Sequence, residues 1–373
     1  MEFMEHKLLD DLNEKGALLI VNNSNLRLVR SIYGSSVLNR LFRKKANQLK
    51  KLDVNPNYLF RFSEGDFFIY IDRYNGKKQL ERLSRRILEL FDKISENMLS
   101  SRFVSSRVGI LELNKDYENV DNVIRNIEIL IGELQDLEGQ KYCFFDKAMQ
   151  EAAILDEEIV EELRKAEYDG FDKEFYLQYQ PLVDLKTNNI VGLEALARWE
   201  NKRLSAIPPL KFIDIAEKHQ LIVPLGEWII KTACNFLKVL ENKGLSDIKI
   251  SINISVIQLL HENFAESLMN IIDEVGVEPH NLELEITESN LMINYSIVNS
   301  ILDRLRKKGI SISLDDFGTG YSSLYRLRAL NIHVIKIDKS FIDGIKDENQ
   351  EDIFIESIIT LADQLGLKVV AEG

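Results

Sequence analysis

From about residue 169 onward, short apolar stretches alternate with longer amphipathic ones, and this alternation limits the possible folds more than any other feature. The short stretches predict strands at 175–181, 190–198, 248–255, 282–287, 310–315, 334–338 and 368–372. Repeated units of a strand and a helix predict a parallel sheet. The chain winds far enough to approach a closed barrel, in which the carboxyl ends of the strands would carry the chemistry.

Polar side chains stand where these strands end. They are Glu194, Asn253, Glu285, Asp315, Asp316, Lys336 and Glu372. Each alone has a structural explanation, such as a salt bridge at the rim, a turn cap or a surface amine. Gathered at one mouth, however, the carboxylates would be costly unless cations neutralise them. Oxygen ligands without histidine or thiolate indicate hard ions, Mg²⁺ or Mn²⁺, and not zinc.

The pair Asp315-Asp316 is the most specific part of this pattern. It ends an alternating strand, and Gly318 and Gly320 then let the backbone turn sharply. Adjacent aspartates repel each other, so we expect a cation between them. A solvated start of a loop is the alternative for this dipeptide taken alone.

Composition narrows the possible partners and the compartment. The formal net charge of −13 argues against a polynucleotide partner but permits a small anion bridged by metal ions. Cys143 and Cys234 lie far apart, which predicts buried thiols in a reducing compartment. The apolar runs are much shorter than the roughly 18 residues that span a bilayer. We therefore expect a cytoplasmic chain without a membrane segment, and an upstream membrane or sensor segment stays open.

The first part of the chain, 1–147, predicts a small α/β domain with a mostly antiparallel sheet. Strands are expected at 17–21, 58–63, 67–72, 103–113 and 142–145, and helices at 31–52, 80–98 and 119–134. A helical linker is expected over 148–168, with a narrow apolar stripe that includes Ile154, Ile159 and Leu163. This helix could couple the two domains, pair with its twin in a homodimer, or form a solvated connector.

The region 169–373 resembles the EAL domain, the family of cyclic-di-GMP phosphodiesterases. The matching motifs are Tyr179-Gln180-Pro181, Glu194-Ala195-Leu196-Ala197-Arg198-Trp199, Asn253-Ile254-Ser255, Glu285-Ile286-Thr287-Glu288, Asp315-Asp316-Phe317-Gly318-Thr319-Gly320, Lys336-Ile337-Asp338 and Ala371-Glu372-Gly373. The resemblance implies a TIM-type (β/α) barrel that hydrolyses cyclic di-GMP to linear pGpG.

The resemblance also implies roles for these residues. Two ions, Mg²⁺ or Mn²⁺, would activate water and clamp the phosphate. Ligands of the first would be Glu194, Asn253, Glu285 and Asp315, and Asp315 and Asp316 would hold the second, with Glu372 nearby. Lys336 would contact the attacking water, and Leu196 and Arg198 the substrate. Glu288 would brace the loop after Asp316, which joins the metal site to a dimer surface in the family.

The hairpin between the second and third predicted strands reads Ser63-Glu64-Gly65-Asp66-Phe67. With this hairpin, the region 1–147 resembles the GGDEF domain, the diguanylate cyclase fold. Positions that hold metal, guanine or the inhibitory product in the family are occupied by Asn22, Ser24, Arg30, Ser31, Val54 and Asn57. Too few carboxylates remain for two-metal phosphoryl transfer, so we predict a cyclase-inactive domain. The alternatives are a cation and GTP held weakly by Glu64 and Asp66, or a solvated hairpin tip.

One departure concerns the end of the barrel. The family continues with an eighth strand, a glutamine-containing motif and a last helix, whereas this sequence stops at Gly373. We therefore expect a fragment or truncated product that hydrolyses poorly by itself. A cyclic-di-GMP receptor that no longer cleaves and a pure interaction scaffold are the other two hypotheses.

Overall fold

The computed structural model describes residues 16–52, 58–61, 65–99, 104–113, 119–136, 139–288, 295–318, 327, 330–344 and 353–372. The chain divides into two compact units, Met1–Leu155 and Asp156–Gly373. A 23-residue helix, Lys147–Asp169, begins in the first unit and ends in the second. No helix within the described ranges combines the length and the apolar character that crossing a membrane requires.

A five-stranded sheet forms the centre of the first unit. Its strands are β1 (Gly16–Asn23), β2 (Leu59–Arg61), β3 (Phe67–Ile71), β4 (Ser106–Leu113) and β5 (Tyr142–Phe144). Their spatial order is β2-β3-β1-β4-β5, and only the β4–β5 pair is parallel. The mostly antiparallel sheet predicted from the sequence is confirmed.

Helices cover both faces of this sheet because its central strand alternates between two cores. Ala17, Leu19 and Val21 join one core, and Leu18 and Ile20 join the other. The helices are α1 (Leu26–Leu49), α2 (Lys77–Leu99) and α3 (Val120–Asp136), followed by α4 (Lys147–Asp169). Helix α1 begins five residues before the predicted start and contains a kink at Gly34, whose φ is 80°.

The second unit is built around a curled half-barrel. Its strands are β6 (Phe175–Val183), β7 (Ile190–Asn201), β8 (Ser205–Ile207), β9 (Lys249–Asn253), β10 (Leu282–Thr287), β11 (Ser311–Phe317), β12 (Val334–Ile337) and β13 (Lys368–Ala371). The spatial order is β13-β12-β11-β10-β9-β7-β6, with β8 paired to β7. Seven of these strands correspond to the seven predicted ones.

The first strand departs from the parallel arrangement that the sequence predicts. Strands β7 and β9 to β13 are parallel, but β6 pairs with β7 in the antiparallel direction. Only residues 184–189 connect them, and Asp184 folds this turn by accepting hydrogen bonds from the backbone of Lys186 and Thr187. So short a connection cannot make a parallel crossover, which needs a dozen residues or more.

The outer face of the half-barrel is covered by helices. They are α5 (Pro209–Lys218), α6 (Ile222–Asn242), α7 (Val256–Leu259), α8 (Phe264–Val275), α9 (Tyr295–Lys307), α10 (Lys339–Ile342) and α11 (Ile353–Gln364). The side chains of Ile250, Ile252 and Leu284 lie in the same core as Ala233 and Leu268 of these helices. The alternate residues of the strands therefore face the concave side, as the sequence pattern indicates.

Candidate active site

A buried lysine is the centre of the concave side. Lys336 lies in the middle of β12, and only 2% of its side chain is exposed. Its Nζ donates to Glu285 Oε2 at 2.8 Å and to Glu194 Oε2 at 3.3 Å. The same nitrogen lies 2.7 Å from Glu372 Oε1 and 3.3 Å from Asp315 Oδ1. Five of the predicted site residues therefore meet at one point.

Register explains why these side chains meet although they lie far apart in the sequence. Glu285 pairs with Asn253 on one side and with Ser313 on the other, and Asp315 is two residues further along β11. Asn253 Nδ2 donates to Glu194 Oε1 at 2.9 Å, so the asparagine joins the cluster as well. Parallel strands present equivalent positions at the same edge, and the curl of the sheet brings those positions together.

The charges of this cluster do not balance, and Glu285 responds most strongly. Burial, together with repulsion from Glu194 and Asp315, outweighs the attraction of Lys336 and raises the pKa of Glu285 to about 8. For Lys336, burial would lower the pKa, but the carboxylates of Glu285, Asp315 and Glu194 raise it above its ordinary value. Lys336 therefore stays charged at neutral pH, while Glu285 is mostly protonated when no other cation is bound.

A second group of carboxylates adjoins the lysine. Oxygen atoms of Asp315, Asp316 and Glu372 all lie within 4.8 Å of one another. Burial raises the pKa of both Asp316 and Glu372, and the charge of Asp315 adds to each shift. The backbone of Asp316 has a φ of 54°, in the left-handed region, and its N–H donates to Asp315 Oδ1 at 3.0 Å. This conformation directs the adjacent aspartates differently from a regular strand.

The residues present suit a divalent cation. Glu285 Oε1 is buried and has no hydrogen-bond partner within the described residues, an arrangement that is costly unless a further positive group approaches it. The donors are carboxylate and amide oxygens, which hard divalent ions prefer. The cluster holds one lysine for at least four carboxylates, so added positive charge would relieve the remaining repulsion.

Leu196 and Arg198 lie further along the same face of β7. Among the residues that the structure describes, Arg198 forms no hydrogen bond or ion pair with the Lys336 cluster. Arg198 Nε donates to Gln178 Oε1 of β6 at 2.8 Å, and Arg198 Nη1 donates to the carbonyl of Ala197 at 2.9 Å. Gln178 is not among the site residues predicted from the sequence. The alternation of Tyr176, Gln178 and Gln180 with apolar residues on β6 could have indicated a polar concave face there.

Glu288 supports the turn after the paired aspartates. It is buried just beyond β10, and its Oε2 accepts a hydrogen bond from Gly318 N at 3.1 Å. Gly318 has a φ of 102°, and a Cβ atom there would lie 2.9 Å from the ring of Phe341. A glycine is therefore required at position 318, where the backbone N–H donates to Glu288. Thr319, Gly320 and Gly373 of the predicted motifs lie outside the described residues.

A half-barrel with an acidic, oxygen-only centre at the carboxyl ends of its strands is typical of metal-dependent hydrolases. The EAL domain profile matches residues 160–373, and the profile described as "Diguanylate cyclase, GGDEF domain" matches residues 2–138. The chain therefore belongs to the EAL domain family and carries a GGDEF domain before the EAL domain.

Relatives of known name share this organisation. The bifunctional diguanylate cyclase/cyclic di-GMP phosphodiesterase MucR of Pseudomonas aeruginosa is 30% identical over 360 residues, which cover 96% of this chain and 52% of that protein. The cyclic di-GMP phosphodiesterase PdeR of Escherichia coli is 28% identical over 372 residues, which cover 100% of this chain and 55% of PdeR. The chain thus spans about half the length of the curated relatives it matches.

Solved structures support the fold. The PaMucR phosphodiesterase in complex with c-di-GMP is 36% identical, with a TM-score of 0.54, and the match covers 58% of this chain and 86% of that one. The recognition of an EAL domain behind a GGDEF domain is confirmed, as is the mixed α/β architecture.

Proposed function

We propose that the second unit hydrolyses cyclic di-GMP to linear pGpG with the help of two divalent ions, Mg²⁺ or Mn²⁺. The observation that carries this proposal is the convergence of four carboxylates from separate strands on the buried Lys336. Such a cluster is expensive to maintain in a folded protein unless it serves a cation and its chemistry. The names of MucR and PdeR supply the substrate class.

The metal ligands are proposed from the resemblance to the EAL family, and their donor atoms suit this role. Glu194, Asn253, Glu285 and Asp315 would hold one ion, and Asp315 and Asp316 the second, near Glu372. Asn253 already uses its Nδ2 on Glu194, which leaves its Oδ1 as a ligand atom. When bound, a pair of divalent ions lowers the pKa of a water molecule and neutralises charge on the phosphate.

Four side chains of the second unit are proposed to have the remaining roles. Lys336 keeps its positive charge. It would donate a hydrogen bond to the attacking water and stabilise the negative charge that develops on the phosphate oxygens. Glu285 must release its proton before it can bind an ion, so ion binding should strengthen as the pH rises towards 8. Arg198 offers a guanidinium for a substrate phosphate, and Leu196, on the same face of β7, offers an apolar contact.

The test is to measure pGpG release from cyclic di-GMP with Mg²⁺, and dinucleotide binding with Ca²⁺. Glu194→Gln removes one ligand charge and should lower turnover by at least about 100-fold. Glu200→Gln is the matched control, because Glu200 lies on the same strand and is exposed, and among the described residues its side chain accepts a hydrogen bond from Tyr176 alone. The control should turn over within about twofold of the unchanged chain.

The outcome also separates the enzyme from a receptor. Product that requires Mg²⁺ and the Glu194 carboxylate supports the hydrolase. Saturable binding of the dinucleotide without any product under Mg²⁺ would indicate a receptor and not a hydrolase. The absence of both binding and product would show that cyclic di-GMP is not the substrate. An extended chain that includes an eighth strand, assayed beside this one, measures how far the extension matters.

We also infer that the first unit is inactive as a cyclase. At the position of the family's metal-binding aspartate, Asn22 Nδ2 donates to Asp66 Oδ1 at 2.9 Å, so an amide stands where a carboxylate would be needed. Glu64, Ser63, Val54 and Asn57 lie outside the described residues. Incubation with GTP and Mg²⁺ should yield no cyclic di-GMP. Saturable GTP binding at micromolar concentration would instead indicate a nucleotide-sensing regulator.

A further inference from the structure

One polar side chain of strand β6, that of Gln178, forms a hydrogen bond with Arg198. Gln178 Oε1 accepts from Arg198 Nε at 2.8 Å. In the antiparallel register Gln178 lies opposite Leu196, and Tyr176 lies opposite Arg198, so the contact is diagonal. Arg198 is half-buried and forms no ion pair among the described residues, so a neutral amide, and not a carboxylate, orients its guanidinium.

Counting the donors shows which edge of the guanidinium is taken. An arginine has five N–H groups, one on Nε and two on each Nη. Gln178 occupies the Nε donor, and the carbonyl of Ala197 occupies one donor of Nη1. The edge formed by Nε and Nη2 is therefore closed to a second bidentate ligand. Nη1 and Nη2 together keep three N–H groups, and one from each nitrogen, directed to the edge between them, would form two parallel bonds to a phosphate.

We propose that Gln178 is a positioning residue for substrate binding, which holds Arg198 so that its Nη1–Nη2 edge receives one phosphate of the cyclic dinucleotide. This role rests on the proposed function of the second unit. A flexible arginine must lose side-chain freedom on binding, and an arginine that is already held loses less. Gln178 should therefore strengthen substrate binding without affecting the chemical step.

The contact is not needed to join β6 to β7. The two strands are paired over nine residues, from Phe175 opposite Trp199 to Val183 opposite Ile190. Tyr176, on the same face of β6, makes an equivalent cross-strand bond from its hydroxyl to Glu200 Oε1 at 3.2 Å. Tyr176→Phe is thus a control that removes one cross-strand hydrogen bond and leaves Arg198 held.

The experiment compares Gln178→Met, Tyr176→Phe, Arg198→Lys and the double variant of Gln178 and Arg198. Binding of cyclic di-GMP is titrated with Ca²⁺, and KM and kcat are measured with Mg²⁺. Gln178→Met should weaken binding and raise KM about five- to tenfold, with kcat within about twofold. In the Arg198→Lys background the same change should cost less than about twofold, because no guanidinium remains to be held.

A direct readout accompanies the titrations. In protein labelled with ¹⁵N-arginine, the Nε–H resonance of Arg198, assigned by its loss in Arg198→Lys, should exchange slowly with water and become fast in Gln178→Met. An unchanged resonance, or equal binding by the unchanged chain and Gln178→Met, overturns the role of Gln178 and leaves the proposed function standing. A chain that neither binds nor cleaves the dinucleotide overturns both.

Discussion

Replacing Glu285 by glutamine should stabilise the metal-free protein while abolishing its response to divalent ions. Glu285 is buried near the carboxylates of Glu194 and Asp315 and the ammonium group of Lys336, and its ionised form is unfavourable there. Glutamine has nearly the same shape and can still accept the hydrogen bond from Lys336, but it never ionises. The substitution therefore removes a repulsion that the folded protein tolerates only for its function.

The sign and size of this stability difference follow from the raised pKa of Glu285. The folded protein holds the Glu285 proton up to about pH 8, whereas the unfolded chain releases it near 4.5. Between these values the folded state binds more protons, so stability is lost as the pH rises. A shift of this size corresponds to about 3 to 5 kcal/mol at 1.36 kcal/mol per pKa unit. The advantage of Glu285→Gln should therefore be near zero at pH 4.5 and reach about that amount by pH 9.

Tryptophan fluorescence during urea unfolding measures this difference, because both tryptophans, Trp199 and Trp228, belong to the second unit. The titrations are run in EDTA from pH 5 to 9 and repeated with Mg²⁺, which should stabilise the unchanged chain but not Glu285→Gln. Glu283→Gln is the control: Glu283 is buried two residues earlier on the same strand and accepts a hydrogen bond from Ser311 at 2.9 Å. A gain that does not depend on pH, or a loss of stability at pH 9, would refute the reasoning.

Three other sets of substitutions test burial, close packing and backbone strain. Burial lowers the pKa of Lys45 to about 7, so the folded protein gives up a proton that the unfolded chain keeps up to about pH 10. The stability of Lys45→Met relative to the unchanged chain should therefore be greatest at pH 6 and fall by about 2 to 4 kcal/mol by pH 10. Urea unfolding followed by circular dichroism measures this difference, and a difference that stays constant with pH would contradict the prediction. Gly226→Ala would place a methyl group 1.6 Å from Gln258 Nε2 and should cost about 2 to 3 kcal/mol in thermal unfolding, whereas Gly132→Ala, with open space around it, should gain about 0.5 to 1 kcal/mol. Asparagine tolerates a φ of 54°, so Asp316→Asn should keep the melting temperature of the unchanged chain but lose the response to Mg²⁺. Asp316→Val should melt at a lower temperature, by an amount equivalent to about 1 to 2 kcal/mol. Equal melting temperatures of the two variants would argue against backbone strain at this position.

Periodicity in the sequence predicted much of the fold because that signal is local. Each predicted strand of the half-barrel shows its alternation within five to nine residues, and the longer helices show their apolar stripes within about three turns. The direction of β6 was not predictable in the same way. The alternation of its residues suits either direction, and only the short turn at 184–189 excludes a parallel crossover.

The convergence of these side chains was also predictable from the sequence, because polar residues at the ends of parallel strands meet at one edge. Glu194, Asn253, Glu285, Asp315 and Glu372 all lie in the Lys336 cluster. The expectation for Cys143 and Cys234 was right for only one thiol, since Cys234 is buried and Cys143 is half-buried. An apolar neighbourhood in sequence does not reveal whether a strand lies at the edge of its sheet, as β5 does.

By itself, the sequence determined which side chains would stand at the mouth of the half-barrel and that most of their polar atoms would be oxygens, the donor type that hard cations prefer. Only the tertiary structure decided how those groups share charge. Lys336 and Glu194 are 142 residues apart, yet their charged atoms lie 3.3 Å from each other. The pKa of Glu285 depends on this proximity and on the exclusion of water, and the orientation of Arg198 depends on a glutamine from another strand. Electrostatic energy depends on distance and burial in space, and neither can be read from positions along the chain.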